Sequence, residues 1–302
     1  MSNPALFGLD LGGTKIEGVV LKSRTNPEPV CRLRIPTEAN LGYQHIVDQV
    51  AKMVEMLQAE TGLKAEHLGI GHPGTLDPNT GLIKNANTTV LNNQPFNKDL
   101  EARLGIPVRL ANDANCFAVA EALMGAVPDA LPNAEAVFGV ILGTGVGGGW
   151  VLHGKVRNGR QGIGGEWGHN FLDESGGPCY CGHGGCVENV ISGPALERFY
   201  TSLSGQKRSL REIVTRSETN EDQAAIQTMD RLLHFFGKAM AVVINIMDPD
   251  AIVLGGGVGN IDRLYTDGPA EVQKHLFNHR IDTLFLRPKL GDSAGVFGAA
   301  LL

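Results

Sequence analysis

Apolar residues near the start of the chain come in two short runs split by glycine. From Ala5 to Leu21 the sequence reads ALFGLDLGGTKIEGVVL, two aliphatic or β-branched stretches around Gly12 and Gly13, which predicts a strand, a glycine turn and a returning strand. The pattern returns 131 residues later at Ala136 to Leu152, AVFGVILGTGVGGGWVL, with identity at eight of seventeen aligned positions and no gap. Such an echo points to one ancestral unit used twice, although glycine and aliphatic residues supply some matches by chance. Between the copies, Ile46, Val50, Met53, Val54 and Leu57 fall on one face of a helix over Leu41 to Thr61, which Gly62 ends. His67 to Ile70 reads as a strand entering the turn Gly71-His72-Pro73-Gly74. Pro107 to Ala111 reads as another, delivering Asn112-Asp113 to its carboxyl end ahead of a helix from Ala114 to Met124. After the second hairpin, Gln223 to Met247 is a long helix that stops at Asp248-Pro249, since proline disfavours helix in the residue before it. A strand, Ala251 to Leu254, then feeds Gly255-Gly256-Gly257, and Gly291 to Leu302 reads as a terminal helix.

At 302 residues and 42% hydrophobic content, this α/β pattern has material for two cores. With no linker of low complexity, the boundary is expected near Val119, giving a small lobe at 1–118, joined by the closing helix 293–302, and a large lobe at 119–292. The net charge of −6 and the lack of a Lys/Arg run argue against nucleic acid. The first strand begins by Ala5, leaving no room for a signal sequence, and no apolar stretch approaches the roughly 18 residues of a membrane span. A cytoplasmic protein is expected, with no membrane partner.

Gly143, Gly145 and Gly148 match G-x-G-x-x-G, and Glu166 follows Gly143 by 23 residues, as a dinucleotide site would place its ribose-binding acid. That reading needs a helix immediately after the glycines to receive the pyrophosphate. The residues Gly149-Trp150-Val151-Leu152 instead read as a strand, which argues against it. Two glycine hairpins remain, whose backbones can approach a polyphosphate without a Cβ in the way.

Taken in order, LGGTK at Leu11 to Lys15, GHPG at Gly71 to Gly74, NDANC at Asn112 to Cys116, GTGVGGG at Gly143 to Gly149, GEWGH at Gly165 to His169, CYCGHGGCVE at Cys179 to Glu188 and DPDAIVLGGG at Asp248 to Gly257 resemble the ROK family of sugar kinases. The resemblance spans nearly the whole chain. It implies a duplicated actin-like ATPase fold of the ribonuclease H type, two lobes around a cleft, and a homodimer. Lys84 to Leu100, KNANTTVLNNQPFNKDL, is most similar to the fructokinase and mannokinase branch. The expected reaction is transfer of a phosphoryl group from ATP to the 6-hydroxyl of a hexose, fructose first, then mannose or glucose. An N-acetylglucosamine or N-acetylmannosamine kinase is the alternative. The family also includes sugar-responsive repressors with a helix-turn-helix domain ahead of the sugar-binding portion, and a chain beginning at the kinase strand is expected to lack that role.

Phosphoryl transfer to an alcohol needs a proton acceptor, a metal against the phosphate charge and donors that hold the nucleophile. Asp113 is the candidate base; a helix N-cap role would explain one of Asn112 and Asp113, but not readily both. The resemblance makes Asn112 a ligand of sugar hydroxyls, as it does Glu166, His169 and Glu188, with Gly74 and Asn87 added from the small lobe. Asp10, where the second copy has Ile141, points to Mg²⁺ held through water, or else to an aspartate bonding its own turn. Gly12, Gly13, Thr14 and Lys15 are expected to meet the phosphates of ATP from the first turn. Gly143, Thr144, Gly145, Val146, Gly147, Gly148 and Gly149 do so from the second, with Gly256 and Gly257 against the adenosine side. Finally, Cys179, Cys181 and Cys186 with His169 offer three thiolates and one imidazole, a set suited to a closed structural Zn²⁺ site. Cys31 and Cys116 carry no assigned role.

Overall fold

The computed structural model describes residues 5–26 and 28–302. Its strands are β1 (Leu6–Leu11), β2 (Lys15–Leu21), β3 (Pro29–Pro36), β4 (Leu68–His72), β5 (Thr75–Leu76), β6 (Ile83–Lys84), β7 (Val108–Asn112), β8 (Ala136–Leu142), β9 (Val146–Leu152), β10 (Lys155–Val156), β11 (Ala251–Gly255) and β12 (Leu284–Leu286). Both expected glycine hairpins are present, as β1-β2 and β8-β9. The duplication reaches further than the hairpins. One five-stranded sheet runs β3-β2-β1-β4-β7 and the other β10-β9-β8-β11-β12, the same order in each copy. Within the first sheet β2 pairs antiparallel with β1 and β3, while β1-β4 and β4-β7 are parallel; in the second, β8-β11 and β11-β12 are parallel and β9-β10 antiparallel.

The chain divides into two compact units: 1–134, 149–165 and 289–302 form one, and 135–148 with 166–288 the other. The helix Asp113–Leu123 therefore lies wholly in the first unit rather than crossing a boundary near Val119, and the change of unit within β9 has no signal in the sequence.

In the first unit β1 and β4 are buried along nearly their whole length, as strands covered on both faces must be. The helix Tyr43–Thr61 packs over β2 and β3 with Ile46, Val50, Met53, Val54 and Leu57 buried, and Gly62 closes it at φ 68°. The closing helix Ala294–Ala300 packs against β1, β4 and the helix Asp113–Leu123. Glycines permit this contact at backbone distance. A Cβ on Gly8 would lie 2.4 Å from the Ala300 nitrogen, one on Gly69 1.8 Å from the Ala299 carbonyl oxygen, and one on Gly298 1.8 Å from the Cys116 carbonyl oxygen. Glu121, fully buried, anchors the segment leading into that helix: its carboxylate accepts hydrogen bonds from the backbone N–H groups of Ala126, Lys289 and Leu290.

β3 escaped the sequence reading because it is an edge strand bounded by prolines and mostly exposed. Its Arg32 and Arg34 both reach the buried Glu17 of β2, with Arg34 directly opposite Glu17 in register.

In the second unit the helix Gln223–Met247 starts on Asp222, whose carboxylate caps the N–H groups of Ala224 and Ala225, and ends at Asp248 in the left-handed region before Pro249. Three helices the sequence reading did not place, Gly193–Ser204, Leu210–Glu218 and Gly268–Gln273, pack against it.

Replacing Gly298 with alanine should therefore destabilise the protein by more than about 3 kcal/mol, since the new methyl meets backbone that cannot step aside. Urea unfolding checks this; a loss under about 1 kcal/mol would show that the closing helix is not held at backbone distance.

Candidate functional site

In the first unit β1 ends by carrying Asp10 to the turn Gly12 to Lys15, which is closed by the Gly12 N–H donating to the Lys15 carbonyl at 3.0 Å. Gly13, Thr14 and Lys15 are exposed, as a phosphate-facing turn requires. Thr37, just past β3, braces the turn: its N–H donates to the Thr14 carbonyl and its hydroxyl to that of Gly12, at 3.0 and 2.7 Å. Thr88 lies beside the same turn, with its hydroxyl 3.5 Å from where a Gly13 Cβ would be. Asn87 is exposed next to it. Gly74, at φ 82°, fits against Ala86, whose amide a Cβ there would approach to 2.7 Å. Asn92 pins Ala86 from the other side, accepting from its N–H and donating to its carbonyl, both at 2.9 Å. Gly74, Asn87 and the first turn thus form one connected surface, and Asn92, which carried no motif in the sequence, holds it.

β7 delivers Asn112 and Asp113 as expected, but their capping roles divide. Asn112 is the N-cap of the helix Asp113–Leu123, its side-chain oxygen accepting from the Asn115 N–H at 2.7 Å. That oxygen is committed to the backbone, so a role for Asn112 toward a sugar falls to its amide nitrogen. Asp113 accepts from the Ala114 N–H at 2.8 Å. Its side chain reaches solvent yet is closely surrounded by protein, and that desolvation raises its carboxyl above the usual range.

Asp10 is raised from 3.8 to about 6, first by desolvation, then by the charges of Asp113 and Glu17, with Lys15 opposing. Glu17 sits directly opposite Asp10 across the β1-β2 hairpin. Burial alone would raise Glu17, but Arg32 and Arg34 hold it below the usual carboxylate value. Cys116 is fully buried, and burial together with Asp10 and Asp113 pushes its thiol well above 9.0, so it stays neutral in their company. Asp10 and Asp113 are thus mutually repelling carboxylates in a desolvated setting, an arrangement that favours a cation and a basic carboxylate. No side-chain hydrogen bond ties Asp10 to its own turn among the described contacts.

In the second unit the β8-β9 turn is closed by the Gly143 N–H donating to the Gly145 carbonyl at 2.9 Å, with Thr144 exposed at its tip. The glycine stretch splits in function here. Val146 already begins β9, and its N–H donates to Glu188 at 2.9 Å, so it is spent on the protein rather than on a phosphate. Gly145 has no room for a side chain, since a Cβ would lie 2.7 Å from that carboxylate. The Gly147 carbonyl accepts from the Trp167 indole at 2.9 Å. Gly148 is buried within β9, and Gly149, counted with the first unit, packs where a Cβ would meet the Ala114 carbonyl at 2.5 Å. Of the seven residues from Gly143 to Gly149, only the first three form the turn. The strand that follows removes the dinucleotide reading. Gly256, at φ 83°, lies against the end of β8, where a Cβ would meet the Leu142 carbonyl oxygen at 2.2 Å. Gly257 faces open space, and both are exposed.

Glu166 and His169 flank the turn Trp167-Gly168, which sits on β9 so closely that a Gly168 Cβ would be 2.0 Å from the Val146 carbonyl oxygen. His169 turns Nδ1 toward Cys179 Sγ at 3.7 Å, and Cys181 and Cys186 sulfurs stand 3.6 Å apart. The four ligand atoms all lie within 4.8 Å of one another. A tetrahedral zinc with bonds of about 2.3 Å to sulfur and 2.0 Å to nitrogen separates its ligands by about 3.6–3.8 Å, which these spacings match. Burial, with the neighbouring sulfurs adding, pushes the Cys186 thiol up to about 12, so a Cys186 thiolate persists here only with a cation beside it. The remaining His169 nitrogen, Nε2, expected to face a sugar, is 3.0 Å from the Tyr180 hydroxyl. A sugar contact there would have to displace Tyr180, which is 82% exposed.

The sequence model described as "ROK family" matches residues 6–302. The chain is 35% identical over 306 residues to an N-acetyl-D-glucosamine kinase of Vibrio cholerae serotype O1, covering 98% of each. It is similar in structure to a ROK hexokinase from Thermus thermophilus (TM-score 0.86, 33% identity, 98% of this chain and 97% of that one). A ROK family glucokinase from Streptomyces griseus, solved in complex with glucose and AMPPNP, superposes with a TM-score of 0.73 at 27% identity, covering 98% of both chains. The fructokinase branch expected from Lys84 to Leu100 is not represented among these relatives.

Because the folded-state value of Asp10, about 6, exceeds its ordinary 3.8, ionising it opposes folding. The penalty is complete above pH 6 and absent below the ordinary value. Asp10→Asn should accordingly be more stable than the parent by about 1–2 kcal/mol at pH 7.5, with the difference vanishing below about pH 4. Thermal melts across that range decide it, and a variant no more stable than the parent at pH 7.5 would refute the desolvated-carboxylate description.

Proposed function

The chain belongs to the ROK family, and from that membership we propose that it is an ATP-dependent sugar kinase whose acceptor is N-acetyl-D-glucosamine. The observation that carries the kinase reading is the pair Asp10 and Asp113, desolvated together beside an exposed glycine turn. Asp113 takes the proton from the attacking sugar hydroxyl, and its raised carboxyl makes it a better base than an ordinary aspartate. The amide of Asn112 and the side chains of Asn87, Glu166, His169 and Glu188 hold sugar hydroxyls, with Gly74 shaping the wall. Glu188 does so while one of its oxygens keeps the β8-β9 turn in shape. Thr14, Lys15 and the exposed tips of the two turns meet the phosphates, and Gly257 leaves room for the nucleoside. Asp10 is the residue suited to hold Mg²⁺ through water; the ion supplies charge neutralisation of the transferring phosphoryl group. The choice of acceptor rests on the relatives of 35% identity, which are named for that sugar.

A second acceptor reading, fructose, rests on the resemblance of Lys84 to Leu100 to the fructokinase branch. An ADP-coupled assay with N-acetylglucosamine, N-acetylmannosamine, glucose, mannose and fructose separates the two. N-acetylglucosamine should show a kcat/KM at least tenfold above fructose; the reverse order would transfer the assignment to fructose, and no turnover with any sugar would remove the kinase reading. Asp113→Ala should lower kcat by about 10²–10⁴-fold while sugar binding, followed by intrinsic fluorescence, persists. Activity within tenfold of the parent would take the base role from Asp113.

The His169, Cys179, Cys181 and Cys186 cluster is proposed to hold one structural zinc that keeps Glu188 and the Glu166 turn in place. Protein purified without added zinc should contain one zinc per chain, and stripping it with a chelator should abolish activity; zinc-free protein that is fully active would refute this.

A further inference from the structure

Elsewhere in the second unit, the helix Gln223–Met247 and the helix Gly268–Gln273 touch at a glycine. A Cβ on Gly237 would lie 2.7 Å from the Glu271 Cγ and 3.0 Å from its carbonyl carbon and oxygen, so the absent side chain lets Glu271 lean onto the helix one turn beyond His234. There the Glu271 Oε1 stands 3.6 Å from His234 Nδ1 and 3.8 Å from His275 Nε2. All three atoms lie within 4.8 Å of one another. His275 Nε2 is buried without a hydrogen-bond partner, a state that a native structure rarely leaves unused. The other Glu271 oxygen is separately paired with Lys274.

We propose that His234, Glu271 and His275 form a second metal site, for Zn²⁺ or a similar borderline ion such as Ni²⁺ or Co²⁺. Two imidazoles and one carboxylate select these ions over Mg²⁺ and Ca²⁺, which prefer oxygen alone. Ligand atoms around a tetrahedral zinc with bonds of about 2.0 Å are about 3.3–3.4 Å apart, so Glu271 Oε1, at 3.6 and 3.8 Å, needs to approach each imidazole nitrogen by under about 0.5 Å, and side-chain rotation closes the remaining gap between the two histidines. His234 and Glu271 line a surface cleft of about 490 Å³, which gives ions access from that side and leaves the fourth position to water. Oε1 suffices as the ligand, so the Lys274 pair survives binding. Lys238 and Lys274 also place positive charge near His275 and oppose a dication, which sets the expected affinity in the micromolar range, well below that of the cysteine site. Occupied, the site would clamp the Gly268–Gln273 segment to the long helix.

Protein carrying its cysteine-loop metal is dialysed against graded zinc, and bound metal per chain is counted by atomic emission. The parent should take up one further zinc at micromolar concentration. His275→Ala and Glu271→Gln should each weaken that uptake at least tenfold, and His279→Ala, at a nearby exposed histidine, should not. Circular dichroism verifies the fold of each variant, and the two substitutions guard against either one misfolding. Cobalt distinguishes the sites, because only thiolate ligands give charge-transfer absorption; cobalt bound without that band reports this site alone, whatever the state of the cysteine loop. No further uptake by the parent, or equal uptake by the parent and His275→Ala, overturns the proposal.

Discussion

The first unit depends on backbone meeting backbone. Where the closing helix lies on β1, β4 and the helix Asp113–Leu123, Gly8, Gly69 and Gly298 leave no side chain between the elements. That contact sets the depth of the helix whose first residue is Asp113. It also brings Gly295 close to Asp10, where a Cβ would lie 3.5 Å from the Asp10 carboxylate. The desolvation of Asp10 is therefore in part a consequence of glycine packing. Buried Glu121 complements it from outside by binding the N–H groups that lead into the same helix.

Electrostatics in this unit separates structural from chemical carboxylates. Glu17 is buried but carries two arginines from an edge strand, and its charge is satisfied. Asp10, its partner across the hairpin, receives only Lys15 in compensation and stands against the charge of Asp113. Two neighbouring acids thus move in opposite directions from their ordinary values because only one has been given cations. The unsatisfied one stands on the strand that leads into the exposed glycine turn, a setting that would favour a cation.

The second unit repeats the frame with different fittings. Its hairpin turn has no counterpart of Asp10, Thr14 or Lys15; instead it is held by Glu188, by the Trp167 indole and by the close seat of Gly168. The Cys-His cluster brings together His169 and Cys186, near the two ends of the segment that carries Glu166, His169 and Glu188. Tyr180 sets an exposed side chain of that segment against the Nε2 of His169.

Local order was legible in the amino-acid sequence wherever one residue type decides the backbone. The two glycine hairpins, the helices ended by Gly62 and by Asp248-Pro249, and the strands delivering Asp10 and Asn112-Asp113 follow from periodicity and steric rules that act within a few residues. The cluster of His169, Cys179, Cys181 and Cys186 was equally visible, because three cysteines within eight residues leave few other purposes. What only the tertiary structure decided depends on distant partners. Asn112 became a cap while Asp113 remained open to chemistry, and Val146 was drawn from the glycine turn into Glu188. Edge strand β3 was hidden by its exposed, proline-bounded pattern, yet it alone supplies the arginines of Glu17. The meeting of His234, Glu271 and His275 through Gly237 spans some forty residues. Burial and charge compensation are properties of assembled surroundings, so the raised carboxyls of Asp10 and Asp113 could be suspected from the chain but were created by the fold.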